Sequence, residues 1–329
     1  MSKNSIVCAG IDTGKRKLDV AIKGVNGQRV ELLIDNTADG HEVLSGWLRK
    51  HGVERVGIEA SGGYEEAVVL HLRKEEFVVV VFQPIQVRAY ATFHLRLAKN
   101  DKLDAALIAD CTAATTKIHA PPDVRLVPFA HHMTLIDQFA DDIARLKTRR
   151  ESCRDQRIRQ HWSAEIARLK RLRKAELKIL VAAIREHDDL GKRLDLIESV
   201  DGVGLLTAVA ILVRMPEIGR VTREQVAALA GVAPYDNESC DQVRERHIRG
   251  GRGRLRKNLF GAAWPASRFW NRQLVALYQR LIAAGKLHKV ALIACARKLL
   301  IFVNTVVARG TPWNVQQPPR QAELGLQAA

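Results

Sequence analysis

The sequence has few cysteines and no paired ones, which excludes two common ways of stabilising a small fold. Its five cysteines are odd in number, lie far apart and form no CxxC motif. This usage argues against a disulfide framework and against a zinc knuckle, and it predicts a reducing compartment. The polar start MSKNS lacks the apolar core of a signal peptide. We therefore expect a cytoplasmic protein.

Long hydrophobic runs are missing as well. The most apolar stretch, VALIACARKLLIFVNTVVA, is interrupted by Arg297 and Lys298. A membrane-spanning helix needs about 20 predominantly apolar residues in succession. The sequence therefore predicts no transmembrane segment.

Negative charge is scarce: 36 Asp and Glu stand against 52 Lys and Arg, which gives a net charge of +16 and a pI of about 9.9. This excess predicts a polyanionic partner, a nucleic acid first and an anionic membrane surface second. A basic protein with no such partner is the alternative. Aromatic residues make up only 5% of the chain, so base stacking is not expected to be the main binding mode. Trp264 and Trp270 are expected to pack within their domain.

The first 125 residues alternate strand and helix signals. Three strands in succession, followed by β–α–β–α units, predict a mixed α/β sheet covered by helices. The prolines of APPDVRLVP end this region. The predicted strands are 5–12, 17–24, 28–35, 53–60 and 77–84, and the predicted helices are 40–52, 64–75, 85–97 and 102–117.

The rest of the chain is predicted to be all-α, in two parts and a tail. Residues 126–198 form a basic helical linker, 199–315 a helical C-terminal domain and 316–329 a flexible tail. The linker is either a hairpin that packs on itself or a coiled coil that joins protomers. One helical stripe is predicted from apolar or small residues at spacings of three and four: Ile158, Trp162, Ile166, Leu169, Leu172, Ala175, Ile179 and Ala183.

A glycine turn opens the C-terminal domain. In SVDGVGLLTAVAIL, Gly202 and Gly204 separate two helix signals. This pattern resembles a helix-hairpin-helix element, whose turn amides contact a DNA phosphate. The alternative is an ordinary tight connection between helices.

Four acids stand out in so basic a chain. Asp12 and Glu59 lie at the carboxyl ends of two predicted strands, and Asp101 and Asp104 share a face of the helix that starts in KNDKLDAALIAD. Functional groups of α/β sheets gather at strand ends. Clustered carboxylates repel unless cations lie among them, and Mg²⁺ prefers such oxygen ligands. Each acid alone has a structural alternative, as a turn cap, a surface acid or a favourable charge at a helix N-terminus.

The segments GIDTGKRKLDVAI, GIEASGGY and KNDKLDAALIA resemble the DEDD motif of the bacterial insertion-sequence 110 family of transposases. The resemblance implies an RNase H-like, RuvC-like N-terminal domain with Mg²⁺ held by Asp12, Glu59, Asp101 and Asp104. It also implies DNA as substrate, a noncoding guide RNA as a further partner, and a homo-oligomer, dimer or tetramer. The resemblance further implies a bacterial protein that is associated with the nucleoid when it is bound to DNA.

The same resemblance covers AGVAPYDNESCDQVRERHIRGGRGRLRKNLFGAAW and assigns Ser239 as a nucleophile that forms a 5′-phosphoserine with DNA. The chain departs from the family pattern in two places: Cys240 replaces a glycine, and IRGGRG lacks the usual serine and lysine. The alternatives are a metal-dependent junction nuclease of the RuvC kind and an inactive nucleic-acid-binding homologue. A phosphate-contacting stretch is predicted from seven cations, which are Arg244, Arg246, Arg249, Arg252, Arg254, Arg256 and Lys257.

Overall fold

The computed structural model describes residues 6–23, 29–96, 101–116, 118, 121, 123–235, 238–239, 242–243 and 246–314. Within helix 101–114, the side chains of the first three residues lie outside the description, as do those of 238–239 and 242–243. The chain divides into two compact units, Met1–Pro121 and Pro122–Ala329. The predicted segments 126–198 and 199–315 both belong to the second unit, and their separation into two domains stays a prediction.

The first unit is built on a five-stranded mixed sheet, as predicted. Its strand order is β3-β2-β1-β4-β5. β1, β2 and β3 pair antiparallel, whereas β4 and β5 run parallel to β1. All five strands lie within or next to the predicted ranges: β1 (Cys8–Thr13), β2 (Lys17–Lys23), β3 (Arg29–Asp35), β4 (Arg55–Glu59) and β5 (Val78–Phe82).

Helices accompany the sheet in the order that the sequence predicts. Thr37 caps the first helix, since its side chain accepts a hydrogen bond from the amide of Gly40 at 3.2 Å. The main apolar core joins β1, β2 and β4 to the first two helices, and a second cluster packs β5 against the last two. The helices are α1 (Ala38–Lys50), α2 (Glu66–Lys74), α3 (Pro84–Phe93) and α4 (Asp101–Ala114).

The second unit begins with a long helical hairpin, α5 (Leu126–Ser152) and α6 (Gln156–Arg185). Ile166 and Leu169 of α6 are buried against Ile143 and Leu146 of α5. The hairpin therefore packs on itself within one chain. A coiled coil between protomers stays a prediction.

The predicted single stripe along α6 is wrong at Ile158, which is 38% exposed, and beyond Leu169. Leu172 is 40% exposed and Ile179 is 56% exposed, whereas Leu180 and Ile184 are buried. At 100° per residue, each step of three falls about 60° short of a full turn. Two such steps after Leu169 carry the predicted stripe away from the contact face.

The remaining helices form one apolar core with the hairpin ends. Of the helices that the structure describes, only the last is long and apolar enough to cross a membrane by length and composition. Its Leu299, Leu300 and Phe302 are fully buried in the unit, as in a core helix. The elements are α7 (Asp188–Glu198), α8 (Leu205–Arg214), α9 (Arg223–Ala230), α10 (Gly253–Pro265), a π-helical turn (Ala266–Trp270), α11 (Arg272–Ala283) and α12 (His288–Arg309).

Candidate functional site

The strand register brings two of the predicted acids together. β1 and β4 pair in parallel from Cys8 and Arg55 up to Ile11 and Ile58. The next residue of each strand in this register is Asp12 on β1 and Glu59 on β4. Both acids are only partly exposed. Because side chains two apart on a strand share a face, Asp12 lies on the face of Gly10, and Glu59 on the face of Gly57.

Helix α4 covers that face. A Cβ on Gly10 would lie 2.2 Å from the carbonyl oxygen of Ala105, and one on Gly57 would lie 1.8 Å from Oγ1 of Thr112. Two glycines therefore let the helix lie directly on the sheet. Arg55, at the opposite end of β4 from Glu59, donates to the carbonyl of Thr112 at 3.4 Å. The C-terminal half of α4 thus lies beside the start of β4.

It follows that α4 runs against β1 and β4 with its first turns toward their carboxyl ends. Asp104 lies in the first turn and is half-buried. The helix begins at Asp101, whose side chain is outside the described set. The structure therefore places Asp12, Glu59 and Asp104 at one end of the first unit.

A fourth described acid at this end was missed at the sequence level. Asp19 on β2 is the register partner of Asp12 across the antiparallel β1–β2 pair, and it is also partly buried. The two directly opposed carboxylates repel each other. The signal that could have found Asp19 is the alternation of KLDVAIK, in which Leu18, Val20 and Ile22 are buried in the core and the acid falls on the other face.

Hydrogen bonds hold together the loops that follow Asp12 and Glu59. Asn36 donates through Nδ2 to the carbonyl of Gly14 at 3.1 Å and to that of Tyr64 at 3.0 Å. Its Oδ1 is 2.8 Å from Nε2 of His41. One amide therefore bridges the β1–β2 turn and the β4–α2 loop.

The β4–α2 loop is closed by Glu65. One carboxylate oxygen accepts from the amide of Ser61 at 3.1 Å, from its hydroxyl at 2.7 Å and from the amide of Gly63 at 2.8 Å. Burial acts to raise the pKa of Glu65, but these hydrogen bonds outweigh it, so the pKa lies below its usual value. The loop after Glu59 is thus closed by an ionised side chain.

Asp110 lies at the other end of α4 and serves a different purpose. It is 4% exposed, and its carboxylate is 2.7 Å from Nζ of Lys23 and 2.6 Å from a guanidinium nitrogen of Arg96. Burial alone would raise its pKa, but the hydrogen bonds from Lys23 and Arg96 lower it. Asp110 therefore ties α4 to β2 and to the segment after α3.

The acids at the strand ends suit a hard cation by their chemistry. Carboxylate oxygens are the ligands that Mg²⁺ takes, usually with retained waters. Among the side chains that the structure describes, no three of His, Cys, Asp or Glu lie close enough to hold one ion. The side chain of Asp101 is not among those described. By its chemistry, the set of carboxylates formed by Asp12, Glu59 and Asp104 fits Mg²⁺.

The predicted nucleophile lies in the second unit. Short paired strands connect α9 and α10: β6 (Pro234–Tyr235) pairs with β9 (His247–Ile248), and β7 (Glu238–Ser239) pairs with β8 (Gln242–Val243). Ser239 therefore lies in the inner strand pair. Its side chain is outside the described set, as are Cys240 and Arg244.

Several predicted phosphate ligands have partners within the chain. Arg252 forms two hydrogen bonds with the carboxylate of Glu217, at 2.6 and 3.0 Å. Arg256 donates to the carbonyl of Gly250 at 2.8 Å, and Lys257 lies 2.5 Å from Asp141. These contacts fasten the start of α10 to the unit.

Arg249 and Arg254 are more available to an outside ligand. The exposed Arg249 lies over the ring of Tyr235, 5.5 Å from its centroid. Arg254 is 54% exposed and approaches Asp137 only to 3.9 Å. Arg246 is also exposed. The phosphate-binding role of the whole set stays a prediction.

The two turn glycines differ from each other. Gly202 has φ of +94°, and a Cβ there would lie 2.3 Å from Cβ of Ala266. Its positive φ and close packing against the π-helical turn explain this glycine without a ligand. Gly204 precedes α8 as its N-cap and has open space around it. Contact between this turn and DNA stays a prediction.

The expectation for the tryptophans is wrong. Trp264 is 44% exposed and Trp270 is 69% exposed. Sequence patterns could not show this, because Trp270 ends a π-helical turn, which shifts the side chains from α-helical spacing.

Comparison with known proteins identifies the family of the chain. Residues 9–175 match the DEDD transposase family of IS110, described as "Transposase", and residues 194–279 match "Transposase IS116/IS110/IS902 family". The protein is thus of the transposase class, a class of DNA-processing enzymes. The chain belongs to the IS110 family of transposases.

Individual relatives are more distant. The chain is 25% identical to the "Pilin gene-inverting protein" of Moraxella bovis, over 95% of this chain and 98% of the relative. It is 30% identical to "Insertion element IS110 uncharacterized 43.6 kDa protein" of Streptomyces coelicolor, over 36% of this chain and 30% of the relative. The structure of T. thermophilus RuvC in complex with a Holliday junction substrate matches 32% of this chain and 92% of its own, at 16% identity and a TM-score of 0.26.

Proposed function

We propose that the protein cuts and rejoins DNA through a 5′-phosphoserine on Ser239, with Mg²⁺ held by Asp12, Glu59, Asp101 and Asp104. The observation that carries this proposal is the register of β1 and β4. It makes Asp12 and Glu59 neighbours at the end of the sheet that the first turn of α4 faces. We assign the first unit to the RNase H-like, RuvC-like fold on the same basis and on family membership.

The chain's residues have distinct tasks in this reaction. The acids would hold Mg²⁺, which when bound supplies positive charge to the phosphoryl group and to the displaced oxygen. Ser239 Oγ loses its proton and forms a bond to phosphorus, and the bond from phosphorus to the 3′-oxygen breaks. The released 3′-oxygen takes up a proton. The reverse attack by a 3′-hydroxyl rejoins the strand and restores the serine, so no ATP is needed.

The remaining parts of the proposal concern assembly. We propose a homo-oligomer, dimer or tetramer, in the bacterial cytoplasm and on the nucleoid when bound. A noncoding guide RNA would select the DNA, so that the protein would recognise mostly shape and backbone. Gene inversion, which the name of the Moraxella relatives states, and insertion-sequence mobility would each require DNA to be cut and rejoined.

The test is a search for a protein–DNA adduct. Full-length protein is incubated with Mg²⁺, guide RNA and 3′-end-labelled DNA, whose label stays on the fragment that Ser239 would hold by its 5′-phosphate, and the products are denatured and separated by electrophoresis. We expect a labelled adduct that Ser239→Ala removes. Ser163→Ala is the matched control, because Ser163 is an exposed serine on α6, and it should keep the adduct.

Other products would assign the other functions. Cleaved ends that persist in Ser239→Ala without an adduct would show a junction nuclease that uses water. Binding with neither product would show an inactive nucleic-acid-binding homologue. Either result would overturn the proposed mechanism.

A further inference from the structure

The second unit displays aromatic side chains around the π-helical turn. Phe269 is 70% exposed and Trp270 is 69% exposed. Beside them, the guanidinium carbon of Arg268 is 4.8 Å from the ring centroid of Trp264 and 6.0 Å from that of Tyr278. We call these five residues the aromatic surface. Grouped exposed aromatics of this kind usually mark an interaction site.

The aromatic surface stands on a rigid support. Asn271, buried directly after Trp270, accepts through Oδ1 from the amide of Leu274 and donates through Nδ2 to the carbonyl of Asp201 at 3.0 Å. Ala266, at the other end of the π-helical turn, packs against Gly202 with no room for a Cβ. The turn is thus fixed at both ends, so a ligand would meet rings whose backbone is already ordered.

The sequence segment that carries the aromatic surface has charges of one sign. Residues 246–322 contain no Asp or Glu but 15 Lys and Arg. A symmetric contact between two copies of this surface would place like charges together with no acid of the segment to offset them. A polyanion has the complementary charge, and aromatic rings bind those polyanions whose bases are unstacked.

We propose that the aromatic surface binds unpaired nucleotides of single-stranded DNA, with bases stacked on Phe269 and Trp270 and phosphates near Arg268. The proposal rests on the proposed function, since cutting and rejoining two duplexes exposes unpaired strands during exchange. In a duplex the base faces are already stacked on one another, so the rings discriminate against paired DNA.

The test measures binding by fluorescence anisotropy with full-length protein and labelled dT20. We expect the Phe269→Ala/Trp270→Ala double variant to bind at least about fivefold more weakly, because loss of stacking on one base alone has about this effect. Trp270→Phe should bind nearly as wild type, because a ring remains. Leu287→Ala is the matched control, since Leu287 is 74% exposed in the same unit but not aromatic.

An abasic strand of equal length separates stacking from charge. Wild-type protein should bind the abasic strand about as weakly as the double variant binds dT20. Equal binding of dT20 by wild type and double variant would overturn the proposal. An equal loss with duplex DNA would also overturn it, as would a preference for U20 RNA. If the double variant keeps dT20 affinity but changes oligomeric state in sedimentation, the surface is instead a subunit contact.

These outcomes are independent of the serine chemistry. Ser239→Ala should bind dT20 as wild type does. If no phosphoserine forms but the ring-dependent binding holds, the proposed mechanism fails and this inference stands. If the adduct forms but the Phe269→Ala/Trp270→Ala variant binds dT20 as wild type does, the proposed mechanism stands and this inference fails.

Discussion

Gly10 and Gly57 are register partners on the parallel strands β1 and β4, and helix α4 lies directly on both. The space of two missing side chains is filled by the backbone of Ala105 and Ala109 and by the side chain of Thr112. This contact fixes the depth and direction of the helix that brings Asp104 to the strand ends. The site geometry therefore depends on glycines that take no part in chemistry.

Gly10→Ala should destabilise the first unit strongly. The added Cβ would lie 2.2 Å from two backbone atoms of α4, which cannot yield as a flexible side chain can, so we expect a loss of about 3 kcal/mol or more. Urea unfolding measures it. Gly46→Ala in α1 is the control, because nothing lies within 4 Å of its Cβ position, and it should gain up to about 1 kcal/mol. A neutral Gly10→Ala would contradict the close contact.

Asp12→Asn should abolish recombination and leave the melting temperature unchanged or higher. The carboxylates of Asp12 and Asp19 are opposed in the β1–β2 register, so removing one charge relieves repulsion. Asp104→Asn is expected to behave in the same way. Thermal unfolding with and without Mg²⁺ tests it: wild type should gain stability from the ion, and the variants should gain less. A large loss of stability in the absence of Mg²⁺ would make these acids structural.

Asp110→Asn should be destabilising in a way that depends on pH. The pKa of Asp110 is lowered in the folded protein, so its ionised form contributes stability that is present above the unfolded pKa of about 3.9 and is lost as pH falls through the folded pKa. Near neutral pH we expect a loss of about 2–3 kcal/mol, from charged hydrogen bonds to Lys23 and Arg96.

The measurement is the free energy of unfolding of wild type and Asp110→Asn between pH 7 and pH 3. The difference between them should begin to shrink below about pH 4, where Asp110 takes up a proton in the unfolded wild type while the folded carboxylate stays ionised. Asp142→Asn is the control, because Asp142 is 49% exposed beside Arg145 and such pairs contribute at most about 1 kcal/mol. A difference that is constant with pH would contradict an ionic role of Asp110.

Arg249→Ala and Arg252→Ala should have opposite consequences. Because Arg249 is exposed, Arg249→Ala should change the free energy of unfolding by no more than about 0.5 kcal/mol. It should weaken DNA binding and reduce the slope of log affinity against log salt concentration by about one. Arg252→Ala removes the hydrogen bonds to Glu217, so it should lower the free energy of unfolding by about 1 kcal/mol and leave the salt slope unchanged. DNA-binding isotherms at several salt concentrations test both predictions. The same salt slope for wild type, Arg249→Ala and Arg252→Ala would show that Arg249 does not contact DNA.

Most of the first unit could be predicted because its signals are local. β1 and β4 are short apolar runs with Asp12 and Glu59 at their carboxyl ends. The position of Asp19 was not predicted, since only the register of the β1–β2 hairpin shows that it lies opposite Asp12. Register is a long-range property that a single strand does not carry.

The second unit shows where local pattern fails. The predicted stripe on α6 leaves the buried face after Leu169, because that face continues to Leu180 and Ile184. The helices that pack against α6 determine which face is buried. Arg252 looks like a phosphate ligand in a basic stretch, yet Glu217, which it contacts, lies far away in the sequence. Exposure of Trp270 follows from a π-helical turn that no spacing rule predicts.

Asn36 joins the two loops at the acidic end of the first unit. Its amide spans the turn after β1 and the loop after β4, with one hydrogen bond on each side. A motion that moved these two loops apart would have to break at least one of the two hydrogen bonds that Asn36 donates. The neutral Asn36 amide therefore links the loops beside Asp12 and Glu59 in addition to the pairing of β1 with β4, and replacing it with Ala would remove both hydrogen bonds without altering a single charge.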